Sequence, residues 1–358
     1  MSFEDTDFRQ EILDLENPFD VKLVGDFLRN LGFDYNPNEV DLTMILYNLN
    51  DEFIGTGSVR KKTLKFVAVS PKFRETTAFS QIVTFLTNNI LENYKQCFVF
   101  TKPETSSRFI SLGFSHIATA EPLFSVLEFG YETIKNYQEY LKENKVKTKT
   151  DQIASIVVNC NPFTIGHQYL IEKAAAENEL VYLFVVSENL SVFPFELRWK
   201  MIKNGISHLK NVVMLSTGSY IVSGAIFPNY FLNQEESCHI SEKQAEIDVK
   251  IFSEYIAPIL NIKKRYIGTE SYCLTTAAYN NAMKQILPKK DIEVIEVKRI
   301  SKNGIGNFIS ASKVRKAIKN DDMQSVIDFL PPVTKDFLLS DDSLKIKDKI
   351  IKGKGSRH

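Results

Sequence analysis

Asn159-Cys160-Asn161-Pro162-Phe163-Thr164-Ile165-Gly166-His167 gathers amides, a hydroxyl, a glycine and an imidazole into one short stretch. The apolar run before it, 153–158, reads as a buried strand, and 169–176 after it reads as a helix. A strand that turns into a helix N-terminus presents unpaired backbone N–H groups, and these make a ready anion site. Thr164 and His167 stand three residues apart, so at helical spacing they share one face. Gly166 lets a phosphate approach the backbone closely. A hydroxyl, an imidazole and free N–H groups around one point suit a nucleotide triphosphate held without a Walker-type loop.

The elements that must position these groups follow from the pattern downstream. Strands are expected at 153–158, 180–186, 212–215, 265–268 and 292–297. Helices are expected near 166–177, 195–209, 243–257, 275–287 and 312–319, with closing helices at 322–330 and 332–339. Such alternation predicts a doubly wound parallel sheet, whose ligand sites lie at the carboxyl edge of the strands. Gly268-Thr269-Glu270 follows a strand and belongs to that edge; Glu270 is a candidate for ribose or magnesium, or a helix cap. Lys298, Arg299 and Lys302 form a basic run that is by default solvated, with one of them a candidate to neutralise pyrophosphate.

The first part of the chain has a different grammar. A helix is expected at 22–31, then strands at 43–49 and 53–59 joined by the turn Asn50-Asp51-Glu52. A strand at 64–69, a helix at 77–89 and strands at 97–101 and 123–129 follow. The charged, helix-prone stretch 131–147 reads as part of a linker. The domain boundaries expected are a polar lead-in at 1–20, an α/β domain at 21–130, a linker at 131–150, a catalytic domain at 151–340 and a basic, disordered tail at 341–358.

Composition narrows the function classes. A chain of 358 residues has room for two or three domains. Its 44 Lys and Arg balance 44 Asp and Glu, which argues against bulk nucleic-acid binding. The four cysteines, Cys97, Cys160, Cys238 and Cys273, form no CxxC pair, so a zinc ribbon is not expected and no metal ligand set is assigned. Reduced thiols in a cytoplasm are the expected state. The acidic start lacks an apolar signal region, and no apolar run is long enough to span a membrane. Cys238-His239 and Cys273 lack the electropositive setting of a nucleophilic thiol and read as structural; Gly304 and Gly306 read as loop flexibility.

Thr-x-Gly-His after Asn-Pro resembles the signature of the HxGH nucleotidyltransferase superfamily. A second stretch, Ile309-Ser310-Ala311-Ser312-Lys313-Val314-Arg315, resembles that superfamily's Ile-Ser-x-Ser/Thr-x-x-Arg motif. Together with Phe193-Pro194, Tyr220-Ile221-Val222-Ser223, Phe227-Pro228, Tyr230-Phe231-Leu232 and Gly268-Thr269-Glu270, these motifs are similar to the citrate lyase ligase family over residues 20–340. The earlier part resembles the GNAT acetyltransferase fold through Val69-Ser70-Pro71 with Arg74, Thr101-Lys102-Pro103-Glu104 and Gly113-Phe114. The implied fold class is α/β: a GNAT-like domain, then a Rossmann-like, nucleotidyltransferase-like sheet. Where the GNAT acyl-CoA loop has glycines, this chain has Glu75-Thr76-Thr77-Ala78-Phe79. A docking surface for a carrier protein, or a structural role, is therefore expected of the first domain.

The resemblance implies roles as well. His167, Thr164 and Arg315 would be catalytic. Asn159, Asn161, Pro162, Phe163, Gly166, Arg198, Gly268, Glu270, Ile309, Ser310 and Ser312 would bind ATP, with Ser310 or Ser312 also capping a helix. Tyr220, Ser223 and Tyr230 would form the acetate pocket. ATP would arrive with Mg2+, and the partner would be the acyl carrier subunit of citrate lyase. The implied reaction joins acetate to that carrier's thiol through acetyl-adenylate, releasing AMP and pyrophosphate. Two other readings stay open: an adenylyltransferase of the phosphopantetheine or nicotinamide mononucleotide type, and a carrier-binding scaffold with a relict site.

Overall fold

Apolar strands buried on both faces drive the fold, and their ends set the two places where it opens. The computed structural model describes residues 8–224, 238–269, 274–300 and 308–353. It divides into two units, 1–135 and 136–358.

The first unit contains β1 (Arg9–Ile12), α1 (Pro18–Asn30), β2 (Leu42–Tyr47), β3 (Phe53–Arg60), β4 (Thr63–Val69), α2 (Ala78–Asn93), β5 (Gln96–Thr101), α3 (Ser106–Ile110), β6 (Ser115–Ala120) and β7 (Phe124–Gly130). They make one mixed sheet in the order β1-β2-β3-β4-β5-β7-β6, the GNAT-like arrangement that the sequence suggested. The lead-in is thus partly structured: β1 pairs antiparallel with β2, and Leu13 is buried. Helix α2 presses Ile82 and Leu86 onto β3. A Cβ on Gly57 would come within 2.6 Å of Leu86 and would have to displace it, so glycine gives the helix its close approach.

Strands β4 and β5 are parallel but pair only at Thr63–Phe98 and Leu64–Val99. The cause lies in β4, where the register with β3 slips between Thr56 and Ser58 and Phe66 takes a left-handed φ of 51°. An extra residue of this kind bends its strand. A cavity of about 520 Å³ occupies the resulting gap, with Phe66, Val67, Phe100 and Thr101 among its walls and Arg74 and Lys102 also lining it. Glu75 of the glycine-free stretch is almost wholly exposed, 3.8 Å from Arg108.

The second unit takes in most of α4 (Ile134–Glu143) and continues with β8 (Ile153–Val158), α5 (Ile165–Glu177), β9 (Leu180–Val185), α6 (Phe195–Gly205), β10 (Val212–Ser216), α7 (Cys238–Ile251), a π-helical turn at Phe252–Ile256 and α8 (Ala257–Leu260). Next come β11 (Lys264–Gly268), α9 (Leu274–Ile286), β12 (Glu293–Val297), α10 (Ala311–Lys319), α11 (Pro332–Leu339) and α12 (Leu344–Ile351). All five strands are parallel, in the order β10-β9-β8-β11-β12. Side chains such as Ile156, Leu183, Ile171, Met201 and Phe193 are buried in its core. Each contributes roughly 1.5–3 kcal/mol of apolar transfer.

Two expectations need correcting. The stretch read as linker is helical as expected, but its helix α4 packs into the second unit: the Tyr137 hydroxyl donates to the Ser216 carbonyl at 2.8 Å and Gln138 donates to the Tyr255 carbonyl at 3.1 Å. The tail read as disordered from Leu344 forms α12. Its lysines hid an apolar pair one turn apart, Ile346 and Ile350, both buried in the core of the second unit.

Candidate active site

The order of the second sheet reverses beside β8, whose following helix lies on one face while the connection into β11 lies on the other. Such a switch point is where open α/β sheets bind ligands. Here the sheet also splits. Strands β8 and β9 pair along their whole length, from Ile153–Leu180 to Val158–Val185. Strands β8 and β11 pair only at Ala154–Lys264 and Ser155–Arg265. Beyond that pair the strands part, and a cavity of about 860 Å³ opens with Val157, Val158, Ile267 and Gly268 among its walls.

Thr164 is the N-cap of α5 and His167 its third residue. The Thr164 backbone N–H donates to His167 Nδ1 at 3.1 Å, and the Thr164 hydroxyl lies 2.9 Å from the same nitrogen. A backbone N–H can only donate, so Nδ1 accepts and the neutral ring carries its proton on Nε2. The ring lines the cavity while the surrounding protein withholds solvent; that burial, then the charge of Arg299, pushes the His167 pKa down to about 4. At neutral pH this imidazole is a directed hydrogen-bond donor without charge. Phe163 stacks beside it, with ring centroids 6.2 Å apart and planes 18° from parallel.

The loop between β8 and α5 is anchored from three sides. Cys160 takes a left-handed φ of 54°, and burial pushes its thiol pKa up, out of the reactive range. Asn161 Oδ1 accepts from the Phe193 N–H at 3.1 Å. That fixes the orientation of the amide and leaves Nδ2 buried without a partner among the described residues, on a side chain that lines the cavity. Asn159 exchanges hydrogen bonds with the Ser191 hydroxyl at 3.0 and 3.1 Å.

Across the cavity, Ser310 caps α10 by accepting from the Lys313 N–H at 3.2 Å. The cap aims the first turn, and Arg315 on the next donates from Nη1 to the Asn161 carbonyl and from Nη2 to the Ser312 hydroxyl at 3.3 Å. The two sequence motifs, far apart in the chain, thus touch. Asn280 on α9 donates to the Gly268 carbonyl at 3.1 Å, and Arg299 Nε donates to the Thr269 carbonyl at 2.6 Å. Among the described residues the cavity wall holds five cationic side chains, Arg265, Lys298, Arg299, Lys313 and Arg315, and no carboxylate. With two helix N-termini added, this wall is built for a multiply charged anion.

Residues 153–338 match the profile of the citrate lyase ligase C-terminal domain. The chain is 34% identical over 310 residues to the [citrate [pro-3S]-lyase] ligase of Klebsiella pneumoniae, covering 84% of this chain and 88% of that protein. It is 35% identical over 325 residues to the enzyme of the same name from Haemophilus influenzae, covering 89% and 95%. The chain belongs to the citrate lyase ligase family. As a member of a ligase family it is an enzyme. No helix among the described residues is long and apolar enough to cross a membrane.

In this citrate lyase ligase family member, the fold brings Asn159, Asn161, Thr164, Gly166, His167, Gly268, Ile309, Ser310, Ser312 and Arg315 to the cavity wall. It does not bring Arg198 there. Arg198 is wholly buried, and its guanidinium donates to the carbonyls of Phe193 at 2.9 Å, Asn159 at 2.9 Å and Glu188 at 3.1 Å. It ties the β8–α5 loop to the β9–α6 connection instead of lining the cavity. Phe163 and Pro162 also lie behind the wall, Phe163 packed over Gly205. The acetate pocket expected at Tyr220 and Ser223 needs the same correction: both are buried, Tyr220 against the ring of Tyr137, and the residue of their loop that reaches the wall is Val222. Glu270, Tyr230 and Lys302 lie outside the described residues. Sequence reasoning missed Lys313, Tyr279, Asn280 and Arg265; only Lys313, which follows Ser312 inside the second motif, carried a readable signal.

Proposed function

We propose that this cavity binds ATP and activates acetate as acetyl-adenylate, then passes the acetyl group to the thiol of the citrate lyase acyl carrier. The contact of the two motifs around a cationic wall, free of carboxylates among the described residues, supports this reading most. In the first step an acetate oxygen attacks the α-phosphorus, the bond to the bridging oxygen of the β-phosphate breaks, and pyrophosphate leaves. In the second, the carrier thiol loses its proton and its sulfur attacks the acetyl carbonyl carbon. The carbon–oxygen bond to AMP then breaks.

Acetate is already an anion at neutral pH, so the first step needs no general base. That agrees with a wall rich in donors and poor in bases. Thr164, His167 Nε2–H, Asn161 Nδ2 and Arg315 would hold the phosphates and meet the charge that grows on the departing pyrophosphate. Among the described residues no group of three or more His, Cys, Asp or Glu side chains forms a cage for a metal. Mg2+ would arrive on the triphosphate oxygens, where it would neutralise charge.

The test is pyrophosphate and AMP formation from ATP and Mg2+, with and without acetate and a thiol-bearing carrier. Acetate-dependent pyrophosphate with an acetylated carrier is expected. Release that ignores acetate but needs a phosphorylated co-substrate would instead place the activity with the adenylyltransferases.

A further inference from the structure

Side chains alternate across β11. Tyr266 turns toward α5, where its hydroxyl donates to Glu177 at 2.7 Å and meets the Asn178 amide at 3.0 Å. Arg265, one residue earlier, must point to the opposite face. There its guanidinium lies over the ring of Phe252 at 4.6 Å, and Asp248 and Tyr279 act on its charge. This face is not the one that carries the phosphate-binding start of α5.

Arg265 is also the last residue of β11 paired to β8, so it sits where the cleft begins, and it lines the cavity. It is 2% exposed, yet Nε and Nη1 are buried without a hydrogen-bond partner among the described residues. Leaving such donors unmet costs about 1–3 kcal/mol each, more for charged groups. Its surroundings explain why it is kept. Asp248 accepts from the Val222 N–H and from the Tyr279 hydroxyl, each at 2.6 Å, so that carboxylate is already engaged by two donors. The same contact pins Val222, a β-branched residue at a φ of 48°, into the cavity wall. Val222, Ile267 and Met283 supply apolar wall on the same cavity.

A buried guanidinium with unmet donors beside a small apolar wall is complementary to a short-chain monocarboxylate. We infer that Arg265 binds the carboxylate of the acid substrate at the deep end of the cleft, with Val222 and Met283 bounding its alkyl group. This rests on the acid-activation reading above and gives that acid its site. The acid and the triphosphate then approach from opposite faces of the sheet and meet at its carboxyl edge.

The experiment is acetate-dependent exchange of labelled pyrophosphate into ATP by the full chain, with KM measured for acetate and for ATP. Arg265→Lys and Arg265→Gln should raise the acetate KM about tenfold or more, the loss of roughly one charge-assisted pair, and leave the ATP KM within about twofold. An unchanged acetate KM, or acetate and ATP KM values that rise together, overturns the inference. If neither variant folds, wild-type protein carrying 13C-methyl methionine decides: a saturable shift of the Met283 methyl on acetate addition supports the site, and its absence overturns it. Wild-type enzyme without acetate-dependent exchange would sink the acid-activation reading itself, a result distinct from exchange that ignores Arg265.

Discussion

The Thr164 N–H and His167 Nδ1, 3.1 Å apart, lock the imidazole into one tautomer, so the cap of α5 determines which nitrogen meets the ligand. A ring held this way acts through geometry and not through charge.

The pH profile should therefore lack an imidazole limb. His167 titrates at about 4, below its ordinary value, so activity should not fall as pH drops from 8 to 5.5 on its account. Stability carries the opposite signature. Between the unfolded value of 6.5 and the folded value of about 4, the unfolded chain takes up a proton that the folded chain refuses. Wild-type protein should thus lose stability through that window relative to His167→Asn, as urea titrations at pH 7 and pH 5 would read. His167→Ala should lower kcat about 100-fold or more, the usual loss for a donor aimed at developing charge.

On the proposed reading, helix α10 separates a structural serine from a phosphate-binding arginine. Ser310→Ala removes a cap and should reduce unfolding free energy by about 1 kcal/mol with little change in ATP affinity. Arg315→Gln should do the reverse, raising the ATP KM about tenfold with the melting temperature nearly kept. Steady-state kinetics beside thermal melts separate the two; parallel losses in both variants would contradict the assignment.

Arg198 is a wholly buried charge outside the cavity. Arg198→Met leaves the carbonyls of Asn159, Glu188 and Phe193 without the donors they now have, and should cost about 3 kcal/mol or more in urea unfolding. Arg198→Lys cannot span three acceptors and should be only partly better. ATP binding by whatever fraction stays folded should be near normal.

Gly205 supports the site from below. A Cβ there would come within 2.4 Å of Phe163, which stacks beside His167. Gly205→Ala should displace the Phe163 ring, cost about 1–3 kcal/mol of stability and raise the ATP KM, a distal effect that kinetics on the purified variant would detect.

The strand boundaries of the second unit and the pairing of its two motifs were legible because apolar runs and turn residues are local signals. Arg198 was misread because Glu-x-Arg at a helix start looks the same whether the guanidinium meets phosphate or buried carbonyls. Arg265 was invisible for the converse reason: Lys264-Arg265 at a strand start reads as solvated charge, and only the packing of α7 and α9 buries the second of the pair. In the loop 220–223 the motif located the segment but not its facing, which depends on the grip of Asp248 on Val222. The helix α12 was obscured by composition, since a lysine-rich segment can still bury one stripe.

A wall with five cations and, among the described residues, no carboxylate does not distinguish a triphosphate from its fragment. Pyrophosphate, once cut free, keeps most of the charge that this wall attracts. On the proposed reading the cleft would therefore hold its own by-product, and added pyrophosphate would compete with ATP for this wall.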